Sequence, residues 1–289
     1  RRIMQLASFE LQGRQTYGFK EGASLREPGA DFQRCYPDLR SVLAAGVTGE
    51  LEAEKSGKTH ELQTVRFLPL IPNPDKIICV GVNYRPHIEE MGRGIPEHPV
   101  VFVRFPGSQT GHGQPLIRPQ VSTHFDFEGE LAIVIGKPAR HVPRAEAFDY
   151  IAGYCCFMDG SVRDWQRHTM QFTAGKNFDR SGSMGPWLVT RDEVPAPAVL
   201  NLTTRVNGTV MQQGSVADLV FDIPALIEYC STFTELLPGD IIATGTPGGV
   251  GAARKPPQWL KGGDLVEVDI PGVGLLANPV KDEIHSKAQ

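Results

Sequence analysis

Residues 124–137 read HFDFEGELAIVIGK. Positions 131–135 are apolar without exception, a pattern a strand shows when both of its faces are buried. The stretch therefore predicts a central strand of a covered sheet. Side chains alternate along a strand, so Asp126, Glu128 and Glu130 fall on one face. Three carboxylates in a row, running into a buried strand, repel one another and lose solvation unless a cation compensates. A hard divalent ion such as Mg²⁺ or Mn²⁺ suits carboxylate oxygens. The plainer alternative is a strand end frayed into solvent, with Lys137 or Arg140 nearby. On these residues alone Asp126 is as good a ligand as either glutamate. Asp159 closes the apolar run 151–158 just before a helix start. Site residues favour such positions, and so do ordinary turn aspartates ahead of a glycine.

Working outward, short Val- and Ile-rich runs at 76–81, 99–104, 151–158, 188–190, 202–206, 241–243 and 265–269 read as strands bounded by Gly or Pro. Helices are few. Residues 161–170 form one candidate, with Ser161 and Asp164 spaced as a capping box. Residues 224–237 form another, with Pro224 suited to the first turn and Pro238-Gly239 as the stop. The 31 glycines and 23 prolines approach a fifth of the chain, against a usual ~12%, which fits many turns between short strands. Residues 1–70 differ in texture. A hairpin is expected around Gln12-Gly13, a helix over 37–45 stopped by Gly46, and a strand at 64–68. The proline-containing stretch 70–75 (LIPNPD) reads as a linker. The expected organisation is a small N-terminal α/β domain over 1–70 and a β-rich α+β domain over 71–289.

A chain of 289 residues can stabilise such a core without staples. The net charge of −4 and the absence of Lys/Arg runs longer than two argue against nucleic acid. No apolar stretch approaches a membrane span. The start Arg1-Arg2-Ile3-Met4 has no apolar segment behind it, so no signal peptide is expected and a cytoplasmic protein is. Five cysteines, in no disulfide or zinc spacing, read as buried reduced thiols at Cys79, Cys155 and Cys156.

His87 and Glu90 are three apart, so they share one face of a helical turn that Pro86 would start. The pair is either a base with an orienting carboxylate or an incidental pair on a solvated helix. Arg163 and Gln166 share the same spacing. Lys176 and Thr246 lie in glycine-flanked loops.

Five blocks, in order, resemble the fumarylacetoacetate hydrolase superfamily. They are GVNYRPHIEEM (81–91), DFEGELAIVIGK (126–137), YCCFMDGSVRDWQ (154–166), GKNFDRSGSMGPW (175–187) and LPGDIIATGTPGGVG (237–251). They resemble in particular its acylpyruvate hydrolase and 2-hydroxyhepta-2,4-diene-1,7-dioate isomerase-like branch. The resemblance implies a mixed β-sheet roll or barrel core, a homodimer, and one Mg²⁺ or Mn²⁺ per chain held by Glu128, Glu130 and Asp159. It makes Asp126 an outer partner of that site. It implies His87 as the base that activates water, Glu90 as its orienter, and Lys176 as the group that steadies an enolate. Arg163, Gln166 and Thr246 become substrate contacts. Two departures stand out: Met158 where Asn is usual, and Arg104-Phe105 where Lys-Pro is usual, which puts substrate reach there in doubt.

The reaction so implied is hydrolysis of the C3–C4 bond of a 2,4-dioxo acid, an acylpyruvate such as fumarylpyruvate or maleylpyruvate, to pyruvate and a carboxylic acid. The small 2-oxo acid is the expected partner. The same enolate forms in decarboxylation of oxaloacetate, or in isomerisation or decarboxylation of a 2-hydroxydienoate from aromatic catabolism. That is the alternative activity. A non-catalytic carboxylate- or metal-binding protein is a distant third.

Overall fold

The structure is a computed structural model that describes residues 4–284. The reading of the N-terminus rests on residues 1–3 and so lies outside the described residues. The strand Gly129–Ile135 pairs antiparallel on both sides, with Ile151–Met158 and with Ile241–Ala243. Its alternating side chains enter two cores. Leu131, Ile133 and Ile135 join Leu202, Val266 and Val268. Ala132 and Val134 join Leu39, Val42 and Leu43 on the opposite face. That double burial is why no position from 131 to 135 is polar.

Among the described residues the main sheet has twelve strands. From the central three it runs on through Ile77–Gly81, which lies parallel to Ile241–Ala243, to Val100–Arg104. In the other direction Gly182–Thr190 follows Ile151–Met158. Gln5–Leu11 then pairs with Gly182–Thr190, so the N-terminal strands extend the same sheet. A five-stranded sheet is built on Asn201–Val206, Leu265–Ile270 and their neighbours. It approaches the main sheet closely: a Cβ on Gly129 would lie 2.1 Å from Thr204 Oγ1. The architecture is β-rich α+β, made of open mixed sheets and not a closed barrel.

In the N-terminal segment, Gln12 (φ 48°) and Gly13 (φ 84°) turn the hairpin between Gln5–Leu11 and Arg14–Glu21. Asp38 caps the helix Leu39–Ala45, accepting from the Ser41 N–H, and Gly46 stops it at φ 70°. The short helices Ala30–Cys35 and Thr48–Ala53 were not anticipated. Nor were the strands Thr209–Ser215 and Gly274–Asp282. The first is a polar edge strand, and the second carries Pro279, which argues against a strand in sequence. The helix expected over 161–170 is a single turn, Arg163–Gln166. No capping box forms there: the Ser161 hydroxyl donates to the Asp159 carbonyl and Asp164 accepts from Ser122. The later helix runs over Ile223–Phe233, capped by Asp222. All five cysteines are free thiols and Cys79, Cys155, Cys156 and Cys230 are buried. No helix among the described residues is long and apolar enough to cross a membrane.

Candidate active site

The site lies where the start of Gly129–Ile135 meets the ends of its neighbours. The antiparallel pairing sets Gly129 opposite Met158, and the Asp159 N–H donates to the Glu128 carbonyl at 2.8 Å. Glu128, Glu130 and Asp159 therefore converge, with one carboxylate oxygen from each lying within 4.8 Å of the others. All three are buried. The Asp126 strand pair continues past this point, Asp126 opposite Ser161, after a break in the ladder. Asp126 does not join the trio. It accepts from the N–H groups of Phe127, Gly251 and Ala252 and pairs with Arg163 Nε at 2.8 Å.

Three buried cations answer these carboxylates. Lys176 Nζ bridges Glu128 and Asp159, at 2.7 Å from each. Arg163 Nη2 lies 2.7 Å from Glu128 Oε1. Arg104 Nη1 donates to Asp159 Oδ1 at 2.6 Å and to the Gly160 carbonyl, while Nη2 donates to Ser181. Burial would raise the Glu128 carboxyl, but Lys176 and Arg163 outweigh it and hold Glu128 far below the usual carboxylate range. Glu130 has no ion pair among the described residues and accepts only the Gly245 N–H, at 2.9 Å. Burial, then repulsion from Asp159 and Glu128, pushes its carboxyl well up. A hard divalent ion is the species that would relieve this crowding. The three-oxygen donor set fits Mg²⁺ or Mn²⁺.

The glycine loop 244–251 holds the protein's own acids. Gly245 bonds Glu130, Gly249 donates to Glu90 Oε2 at 2.8 Å, and Gly251 bonds Asp126. The Thr246 hydroxyl is spent on the Gly129 carbonyl and on Gln212. On the far side of the loop, the helix Arg85–Glu90 sets His87 Nδ1 2.7 Å from Glu90 Oε1. That contact leaves Nε2 as the ring nitrogen available to a ligand.

One small pocket is lined by His87, Glu128, Glu130, Arg163, Gln166, Lys176 and Thr246. Of the anticipated residues, Glu90 and Asp159 stand behind that lining, in contact with His87 and Lys176 respectively. Met158 is buried in the apolar core. Arg104 is buried against Asp159, so its place in the site is to hold that carboxylate. Its signal in sequence was a lone charge closing the apolar run VVFVR. Gln212, which also accepts from the Gly129 N–H, and Asn83, which ties Thr244 to Phe221, were missed. Asn83 opens the motif that carries His87 and Glu90, but that spacing does not show its tie to Thr244 and Phe221, and Gln212 has no spacing that would mark it.

Residues 76–281 match the family described as fumarylacetoacetate (FAA) hydrolase, C-terminal. The oxaloacetate tautomerase YisK of Bacillus subtilis is 44% identical over 225 residues, 76% of this chain and 75% of that protein. A 2-hydroxyhepta-2,4-diene-1,7-dioate isomerase structure from Mycobacterium marinum is 33% identical with a TM-score of 0.79, covering 98% of this chain and 100% of that one. The maleylpyruvate hydrolase of Sphingobium sp. SYK-6 is 30% identical with a TM-score of 0.81, covering 97% and 100%. The chain belongs to the fumarylacetoacetate hydrolase family and is an enzyme of that superfamily. Several curated relatives are oxaloacetate tautomerases, whereas the motifs led us to expect an acylpyruvate hydrolase.

Proposed function

We propose that this enzyme interconverts the keto and enol forms of oxaloacetate, a proton transfer at C3 of a 2-oxo acid. The observation that carries the reading is that His87, held 2.7 Å from Glu90, lines one pocket with Glu128, Glu130 and Lys176. Glu90 is itself fixed by the Gly249 N–H, so the imidazole is oriented before substrate arrives. His87 takes the C3 proton and delivers it to the C2 oxygen to give the enol, and in the reverse direction takes the hydroxyl proton and returns it to C3. The Lys176 ammonium, held protonated by Asp159 and Glu128 against the pull of burial, faces the negative charge that gathers on the C2 oxygen. A divalent ion held by Glu128, Glu130 and Asp159 would supply a Lewis acid for the 2-oxo group. No added water is needed, unlike hydrolysis. The similarity to YisK supports the proton shift, and the likeness to an isomerase fits it. Cleavage of a 2,4-dioxo acid is the second reading, supported by the likeness to maleylpyruvate hydrolase.

The test follows loss of enol absorbance from oxaloacetate with Mg²⁺ or Mn²⁺ present, alongside pyruvate release from oxaloacetate and from maleylpyruvate. Fast enol loss without pyruvate is expected. His87→Ala should slow it by on the order of 10²–10⁴-fold. Rapid pyruvate release from maleylpyruvate, with the enol of oxaloacetate decaying at its uncatalysed rate, would replace this reading with the hydrolase.

A further inference from the structure

Three cations line the pocket: Arg93, Arg163 and Lys176. Two are already committed. Arg163 is paired with Asp126 and Glu128, and Lys176 with Glu128 and Asp159. Arg93 is exposed and enters no ion pair among the described residues. Its place is nevertheless set. The helix Arg85–Glu90, which carries His87, is followed by its cap Met91 and by Gly92, with φ +64°. The Gly92 N–H donates to the Glu89 carbonyl and the Arg93 N–H to the Ile88 carbonyl, each at 3.0 Å. That is a Schellman closure, which fixes the chain out to Arg93, three residues past the end of the helix.

The Arg93 guanidinium lies 5.5 Å from the centre of the Phe172 ring. Phe172 meets Phe102 edge to face at 5.6 Å, and Lys176 Nζ lies 4.9 Å from the Phe102 centroid. A cation, two rings and a second cation thus form a column from the pocket mouth to the carboxylate trio. All four side chains line the pocket. Stacking on Phe172 holds the guanidinium without neutralising it. The pocket is therefore oxygen-rich and metal-suited at its base, apolar along one wall, and cationic at its mouth.

We propose that Arg93 reads a second carboxylate at the far end of the substrate and makes the pocket selective for 2-oxo dicarboxylic acids over their monocarboxylic counterparts. This rests on the proton-transfer reading for the reaction, and on the column of side chains for the ligand. A short carbon chain acidic at both ends matches the two charged ends of the pocket. Among the described residues, Arg93 is the one lining cation whose charge is free to meet an anion.

The probes are oxaloacetate and its 4-methyl ester, which differ in the distal charge. Binding calorimetry on the Mn²⁺-loaded protein should show the diacid preferred by about tenfold, as one charge-assisted contact allows. Arg93→Gln should bring that preference close to unity, and Arg93→Lys should restore part of it. Raised ionic strength should also narrow it, because the contact is exposed. A preference that survives Arg93→Gln, or that is missing in the unsubstituted protein, overturns the assignment. Turnover separates the two readings. Selective binding by a protein that leaves the enol of oxaloacetate untouched would remove the tautomerase and keep Arg93 as the reader of the distal carboxylate.

Discussion

Arg104 shows how much a single side chain is asked to do. It is 2% exposed and gives its guanidinium to Asp159, Gly160 and Ser181. A buried cation of this kind is stable only because each donor meets an acceptor. Arg104→Met would leave Asp159 with Lys176 as its remaining cationic partner. Stability in urea should fall by about 3 kcal/mol. Mn²⁺ affinity, measured by calorimetry, should weaken on the order of 10–100-fold as Asp159 loses its orientation. Unchanged Mn²⁺ binding in a folded variant would show that Asp159 is held by its strand end alone. In sequence Arg104 stood out as a departure from the usual lysine and as the charge that closes an apolar run. Its contact with Asp159 spans 55 residues and was not readable from spacing.

At the scale of elements, the loop 244–251 joins the two halves of the chemistry. It follows the strand Ile241–Ala243, whose position next to Gly129–Ile135 brings Gly245 to Glu130. Four residues on, Gly249 reaches Glu90 and through it His87. Gly249 has φ +104°, and a Cβ there would lie 2.1 Å from the Met211 carbonyl. Only glycine meets both demands. Gly249→Ala should displace the loop and free Glu90, lowering kcat for enol loss by at least about tenfold while Mn²⁺ affinity changes little. An equal loss of metal affinity would mean the loop acts as one unit with Glu130. The N–H groups of this loop hold carboxylates of the protein itself: Glu130, Glu90 and Asp126.

At the scale of the molecule, the N-terminal segment is bound into the catalytic sheet. Gln5–Leu11 pairs with Gly182–Thr190, and Leu39, Val42, Leu43 and Leu51 cover the face that carries Ala132 and Val134. Leu70 and Ile71, in the stretch read as a linker, are buried in that same core. A chain beginning at residue 71 would expose that face and the strand edge. It should unfold at lower urea than the full chain, with a broadened transition, or aggregate on expression. A sharp transition at the full-chain midpoint would instead give residues 71–289 independent stability.

What the amino-acid sequence determined by itself was local and periodic. The unbroken apolar run 131–135 required a strand buried on both sides. Gly46 and Gln12-Gly13 placed a helix stop and a hairpin, because their left-handed backbone needs few neighbours. Glu128 and Glu130 could be read as a pair from alternation, since both lie on one strand. The tertiary structure decided the rest. Alternation alone left Asp126 as good a ligand as either glutamate, and only the motif resemblance pointed to Asp159; strand pairing sets Asp159 beside Glu128, while Arg163 and the loop capture Asp126. Charge in a buried site is assigned by which cation reaches which carboxylate, and that reach is fixed by sheet order across long stretches of chain, which no spacing along the sequence records.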